Sequence, residues 1–136
     1  MQIDDKLSPL MVYKYEVSPE IHKLVRDVLT VIPDEWRHEF PSFSVYEASS
    51  PWYAHFKRHS FAEVGRLYSD PRLMELPREV ALGLIAHEFA HLYLEHTSGG
   101  SVEGEYEADD LANRWGFQNE VKAMRQFLGF PKMRLL

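Results

Sequence analysis

No cysteine occurs anywhere in the chain. That excludes disulfides and any thiolate zinc site, so a metal here has to be held by histidine and carboxylate. Basic residues are outnumbered: 15 Lys and Arg stand against 21 Asp and Glu, a formal charge of −6, which argues against a nucleic-acid-binding surface. No stretch reaches the roughly 18 uninterrupted apolar residues of a membrane-spanning helix, and no membrane association is expected. The first residues, Met1-Gln2-Ile3-Asp4-Asp5-Lys6, have neither the basic start nor the apolar run of a signal peptide; a cytoplasmic protein is the expectation. Repeats, low-complexity runs and obvious linkers are missing too. What is left, 136 residues of which 45% are hydrophobic and 26% charged, has the size and composition of one soluble domain, 1–136, with a real core.

The most informative stretch is His87-Glu88-Phe89-Ala90-His91, inside an otherwise apolar or small run from Val80 to Leu94. Val80, Leu82, Leu84, Ile85, Phe89, Leu92, Tyr93 and Leu94 fall all round a helical wheel, the mark of a buried helix. Buried imidazoles and a buried carboxylate are costly unless paired, hydrogen-bonded or bound to metal. His87 and His91, at i and i+4, project from one helix face a turn apart. Both ring nitrogens can therefore reach one tetrahedral ion at about 2.0–2.1 Å. Glu88 lies beside them, placed to take a proton from a water on that ion. This is the H-E-x-x-H pattern of zinc metallopeptidases.

Around that helix the chain reads as an α+β domain. Leu10–Tyr15 is a short strand or an ordered arm. Ser18 caps a helix whose first position is Pro19; Ile21, Leu24, Val25, Val28, Leu29 and Ile32 then keep helical spacing until Pro33 stops the run. His22 falls off that stripe and is expected in solvent. Asp34–Phe40 allows one more helical turn. Phe43–Tyr46 alternates as a strand, and Ser49-Ser50-Pro51 turns. Trp52–Ser69 predicts one or two strands, Glu63–Tyr68 being the better candidate, with Gly65 marking a bulge or close approach. His55 and His59 in that segment read as polar surface rather than ligands. Asp70-Pro71 begins a turn. Pro77 opens the central helix, carried to about Glu95 or His96 and ended by Gly99-Gly100. A third helix runs from about Val102 to Trp115, ended by Gly116. The last, Glu120–Leu128, is amphipathic through Val121, Met124, Phe127 and Leu128, and Gly129 and Pro131 close it.

A catalytic zinc site normally has three protein ligands and a water, so a third must come from elsewhere. After Gly99-Gly100 the chain can reverse and lay the next helix against the first. That helix carries Glu103, Glu105, Glu107, Asp109 and Asp110 around an apolar arc of Ala108, Leu111, Ala112 and Trp115. Glu105 borders the arc beside Ala108 and Ala112, whose small side chains permit close approach. Glu107 borders the other side, and wheel geometry prefers Glu105 only modestly. Asp110 points away. Asp109, four residues after Glu105, shares its face and can accept a hydrogen bond from the free ring N–H of a ligand histidine. Part of this acidic start also complements the helix dipole.

His87-Glu88-x-x-His91 followed by Glu105-Tyr106-Glu107-Ala108-Asp109 resembles the gluzincin metallopeptidases, and the resemblance implies a zincin-like fold. In that group the first Glu of an E-x-x-x-D motif is the third zinc ligand and the Asp hydrogen-bonds a ligand histidine; Glu105 and Asp109 stand in those places. The string from Glu105 to Gly116 is similar to a segment of the CAAX prenyl protease and heat-shock protease family, whose soluble core the small minigluzincins resemble. The likeness covers roughly 77–116. The ImmA/IrrE-like regulatory proteases, with a similar E-x-E-A segment, are a close alternative. Two features depart from the pattern: the spacing from His91 to Glu105 is shorter than in large gluzincins, and no histidine follows His96. Family members often place a His, Tyr or Arg beyond the glutamate helix to stabilise the oxyanion; Tyr106, Arg114 and Arg125 are unranked candidates.

The resemblance implies a zincin-like α+β domain: N-terminal helix, small mixed sheet of two to four strands, central H-E-x-x-H helix, glutamate helix and C-terminal helix. It also implies a zinc metalloendopeptidase. His87, His91 and Glu105 would bind Zn²⁺, and Glu88 would act as general base and then as proton donor to the leaving amine. The substrate would be an extended peptide or protein, added as a strand near Glu63–Tyr68. The alternative is a zinc-binding regulatory or interaction module with a protein partner and vestigial peptidase activity.

Overall fold

The structure, a computed structural model, describes residues 11–13, 17–40, 43–47, 60–63, 66–94 and 102–129. Its elements in chain order are β1 (Met11–Tyr13), α1 (Pro19–Val31), α2 (Asp34–Arg37), β2 (Phe43–Glu47), β3 (Ser60–Glu63) and β4 (Arg66–Ser69), then a 3-10 helix (Pro71–Glu75), α3 (Arg78–Leu94), α4 (Val102–Arg114) and α5 (Gln118–Leu128). Among the described residues this is an α+β arrangement: a four-stranded sheet in the order β1-β2-β4-β3, with helices packed on it and on one another.

The strands are short, and alternation decides which side of each is buried. Phe43 and Val45 on β2, Leu67 on β4 and Ala62 on β3 are buried, with Val45 opposite Leu67 and Leu67 opposite Ala62. β1 with β2, and β2 with β4, are parallel; β3 with β4 is antiparallel. A single strand over Glu63–Tyr68 is therefore corrected to two. Glu63 pairs with Arg66 in antiparallel strands; Gly65, expected as a bulge or close approach, lies outside the described residues. It follows that β4 is an inner strand and β3 an edge strand among the described residues.

α1 starts where capping chemistry puts it. The Ser18 hydroxyl accepts from the Ile21 N–H, and Pro19 occupies the first turn. The Ser18 N–H in turn donates to Glu47 Oε1 at 2.8 Å, tying the start of α1 to the end of β2. His22 is buried, 5% exposed, which corrects the expectation of a solvated ring. It sits at the edge of the apolar stripe, one turn before Val25 and two before Leu29, and α3 and the 3-10 helix pack on α1. Burial and the nearby Arg26 charge lower its pKa, so the ring is neutral.

α3 is the spine. It packs on α1, β3, β4, α4 and α5, which is why it needs apolar or small residues on every side. Val80, Ala81, Gly83, Leu84, Ile85, Ala86, Phe89, Ala90 and Leu92 are all buried. Around Phe89 an aromatic cluster gathers: Phe40 at 5.9 Å and Phe43 at 5.3 Å between ring centroids, with Tyr93 and Trp115 edge to face at 6.1 Å. The short α2 joins this cluster through Trp36, 5.4 Å from Tyr93, and Tyr93 Oη donates to Glu39 Oε2 at 2.7 Å.

Two glycines carry the C-terminal half. Gly116, at φ 106°, takes the left-handed conformation that ends α4 and starts the turn into α5. At Gly83 the reason is space rather than dihedral angle. A Cβ there would overlap the Glu120 carbonyl, standing 2.8 Å from its carbon and 3.0 Å from Met124 Cβ. The α5 backbone lies directly against α3 at this point, and it is this approach that brings Arg125 into the core. α5 buries Val121, Met124 and Arg125, while Phe127 is half exposed. That corrects the apolar face expected for this helix, since Arg125 follows Val121 by one turn and lies nearer the middle of the stripe.

His55, His59, the Ser49–Pro51 turn, His96 and Gly99-Gly100 lie outside the described residues. No helix among the described residues is long and apolar enough to cross a membrane.

Replacing Gly83 with alanine adds one methyl against backbone that cannot rotate away. Despite alanine's better helix propensity, worth about 1 kcal/mol, Gly83→Ala is expected to destabilise the fold by about 1–3 kcal/mol. Urea denaturation checks this; an unchanged midpoint would contradict the close α3–α5 contact.

Candidate metal centre

α3 and α4 meet across small residues. Ala86 and Ala90 on α3, and Gly104, Ala108 and Ala112 on α4, are all buried, so the two helices approach closely and polar side chains on their facing turns reach one another. His87 and Glu88 are 5% and 4% exposed, and His91, one turn on, is partly buried. The His87 and His91 Nε2 atoms stand 3.0 Å apart. Glu105 from α4 enters between them: its Oε2 lies 2.5 Å from His87 Nε2 and 3.4 Å from His91 Nε2.

Behind His87 the other ring nitrogen is equally committed. Nδ1 lies 2.8 Å from Asp109 Oδ1. Asp109 is held in turn by Arg125 of α5, which donates from Nε to Oδ2 at 2.6 Å and from Nη2 to Oδ1 at 2.9 Å. The same Nη2 reaches Glu105 Oε2 at 3.4 Å. Its separation of 3.5 Å from His87 Nδ1 is an approach of two donors, because Nδ1 gives its hydrogen to the Asp109 carboxylate. With Nδ1 protonated, Nε2 is the nitrogen available to a ligand on the Glu105 side.

Glu88 is the outlier. Its Oε1 is 3.8 Å from His87 Nε2, and its Oε2 is buried without a hydrogen-bond partner among the described residues. A buried carboxylate oxygen in that state carries a desolvation cost of the order of 1–3 kcal/mol or more, which no hydrogen bond from the described residues offsets.

Charge points the same way. Burial opposes ionisation of Glu105 and of Asp109, but hydrogen bonds from His87, with His91 on Glu105 and Arg125 on Asp109, outweigh it and hold both carboxyls below the usual range. Two carboxylates, Glu105 and Asp109, then share one guanidinium, that of Arg125. Burial likewise opposes a proton on His87, yet the Asp109 and Glu105 hydrogen bonds prevail and push its pKa up to about 9. The ring takes a proton because the cluster lacks positive charge.

The donor set fits one divalent ion. His87, Glu88 and His91 each place one ligand atom within 4.8 Å of the others, but Glu105 lies closer to both rings than Glu88 does to His87. Tetrahedral ligands at about 2.0–2.1 Å from a metal are about 3.3 Å from one another. Two separations within the His87, His91 and Glu105 set, 3.0 and 3.4 Å, are near that value; the third, 2.5 Å, is shorter than the ~2.7–2.9 Å of a charged ring N–H donating to a carboxylate and would have to open around an ion.

All five residues singled out in the sequence, His87, Glu88, His91, Glu105 and Asp109, come together here. Glu107 and Asp110 are exposed. Of the three expected oxyanion donors, two lie elsewhere. Arg114 is exposed, with its guanidinium 5.5 Å above the Trp36 ring. Arg125 is behind His87, spent on Asp109, because the α3–α5 contact at Gly83 carries it to the back of the site. Tyr106 is partly buried on α4. The sequence did contain a sign of Arg125's place, a charged residue inside the apolar stripe of its helix.

The chain matches no protein-family model, no curated protein and no solved structure at a significant level.

The raised His87 pKa has a sign that can be read in solution. A ring whose folded pKa is above its unfolded value of about 6.5 contributes its full stability below that pH and loses it as pH rises through about 9. With chelator present, the urea midpoint is expected to fall across this window, and Asp109→Asn to flatten the fall. A midpoint that rises between these pH values would contradict the arrangement.

Proposed function

We propose that the protein is a zinc-dependent endopeptidase of the gluzincin type, with a zincin-like fold. The observation that carries the reading is the convergence of His87 Nε2, His91 Nε2 and Glu105 Oε2 within 3.4 Å, beside a buried Glu88 oxygen with no partner among the described residues. Zinc is the ion of choice because two imidazoles and one carboxylate, without thiolate, are the donor set of catalytic zinc. Bound there, it would polarise a scissile carbonyl and acidify a water in the remaining position.

The chain's own residues supply the rest. Asp109 holds His87 in the tautomer that leaves Nε2 free. Glu88, flanked by the two histidines, is suited to take a proton from the attacking water and return it to the departing amine. Its unpartnered oxygen supports this role over that of a fourth ligand. β3 packs on α3 and is an edge strand among the described residues, so an extended substrate backbone can pair along Ser60–Glu63. This replaces the Glu63–Tyr68 segment, most of which is the inner strand β4.

A second reading, a zinc-binding regulatory module with weak or vestigial peptidase activity and a protein partner, is favoured by one observation. Arg125 and Arg114, the cationic candidates for the oxyanion, are engaged with Asp109 and Trp36.

Protein purified without chelator is expected to carry one zinc per chain; less than about 0.2 by elemental analysis sinks the metal site. Glu105→Gln should weaken zinc binding far more than Glu107→Gln, and equal effects would shift the ligand assignment.

Glu88→Gln keeps the size of the side chain and removes the base. It should retain full zinc and the wild-type Tm while casein cleavage falls at least about 100-fold. A zinc-loaded wild type that cleaves nothing across a broad peptide library would replace the peptidase reading by the regulatory one. Equal cleavage by wild type and variant would place the chemistry elsewhere.

A further inference from the structure

Arg125 is one of three candidates for stabilising the oxyanion, and the reaction proposed above makes no use of it. It is 5% exposed, in the interior of α5, on a helix face otherwise occupied by Val121 and Met124. A guanidinium is expensive to bury, so its partners say what it is there for. Two of its hydrogen bonds go to one carboxylate, one to each oxygen of Asp109, at 2.6 and 2.9 Å. Another, at 3.4 Å, reaches Glu105.

The two-point grip matters because a carboxylate held by one bond can still rotate. Asp109 Oδ1 must lie in line with His87 Nδ1 for the 2.8 Å bond between them. With Oδ2 fixed by Nε and Oδ1 shared with Nη2, the plane of Asp109 is set by the planar fork of Arg125. The plane of Asp109 sets the His87 ring, and the ring sets the direction of Nε2. The fork is itself placed by the backbone contact of α5 on α3, where Gly83 meets Glu120. A single rigid path therefore runs from a helix that contributes no ligand to the atom that would bind metal.

We propose that Arg125 is a positioning residue for His87, acting through Asp109, and that it tunes the metal affinity of the site from behind. The proposal rests on the zinc reading for its consequence, and on the Arg125–Asp109–His87 geometry for its substance. Because the fork delivers two bonds in one plane, charge alone is not sufficient: lysine at this position keeps the charge and loses the plane.

The test uses the full chain, with variants Arg125→Met, Arg125→Lys, Asp109→Asn and the double variant Arg125→Met/Asp109→Asn. Folding is verified by circular dichroism, and zinc affinity is measured by competition with a chromophoric chelator. Arg125→Met is expected to lower zinc affinity by about 10- to 100-fold, the scale of a lost partner behind a ligand histidine. Arg125→Lys should recover less than half of that loss on a logarithmic scale. In the Asp109→Asn background the further effect of Arg125→Met should be within about 3-fold, because the arginine acts through the residue already changed.

A folded Arg125→Met with wild-type affinity overturns the proposal, as does an effect that persists undiminished in the Asp109→Asn background. If Arg125→Met does not fold, Arg125→Lys decides: at least about 5-fold weaker binding supports the fork, and wild-type affinity overturns it. A second readout is independent of metal. In ¹⁵N-histidine-labelled, chelator-treated protein the His87 Nδ1–H resonance should be protected from solvent exchange in wild type, and lost or broadened in Arg125→Lys. A wild type that binds no zinc but shows this resonance and its loss would sink the zinc reading and leave the positioning role standing; an unchanged resonance in Arg125→Lys would sink the positioning role itself.

Discussion

One carboxylate, that of Asp109, holds the centre of this molecule together. It accepts from His87 on α3 and from Arg125 on α5, and it stands on α4. Each of the three groups is polar or charged and nearly buried, and none can be accommodated in the core without the others. In a low-dielectric interior such a network is strong when complete and costly when any member is missing. Three helices are therefore bound to one another at the point where the chain's chemistry is concentrated. The packing of α5 on α3, the approach of α4 and the orientation of His87 are consequences of the same arrangement.

The rest of the fold keeps that point rigid. α3 is enclosed by sheet on one side and helices on the others, and its small residues let neighbours come close where polar side chains must meet. Gly83 admits the α5 backbone, and α4 packs on α3 with Gly104, Ala108 and Ala112 buried. Further along α3, Phe89 is wedged among Phe40 and Phe43, two residues before His91. A site on helices locked in this way can hold ligand atoms to a fraction of an ångström, which a metal centre requires and a loop rarely provides. Glu88 shares that rigidity, with its Oε2 buried and without a hydrogen-bond partner among the described residues.

The charge balance adds a constraint of its own. Glu105 and Asp109 outnumber Arg125, and their hydrogen bonds to His87 favour a proton on its ring. A metal bound at this ring would compete with that proton, as at any imidazole ligand. Here the competition is sharpened because the Asp109 bond that orients the ring is also one of those that raise its basicity.

Much of the local structure was legible before any fold was known. Ser18 with Pro19 marked the start of α1, Gly116 and Gly129 the ends of α4 and α5, and a run of apolar residues all round the wheel marked α3 as a buried helix. The spacing of His87 and His91, and the position of Glu88 between them, came with that helix. These are relations among residues a few positions apart, governed by hydrogen bonding within one or two turns and by a period of 3.6, and they hold whatever the helix packs against. Other features were not legible, because they depend on which surfaces meet. A wheel ranked Glu105 only slightly above Glu107, whereas the contact of α4 with α3 leaves one between two imidazoles and the other in solvent. His22 lay just outside its stripe and is nonetheless buried. β3 became the edge and β4 an inner strand only when the sheet took the order β1-β2-β4-β3. Arg125 found its place from a backbone contact 42 residues away in sequence, Gly83. The sequence by itself determined which groups were available for chemistry and in what local geometry. The tertiary structure decided which of them are neighbours, because the partner of a buried charge is chosen by the packing of whole helices and not by the residues beside it in the chain.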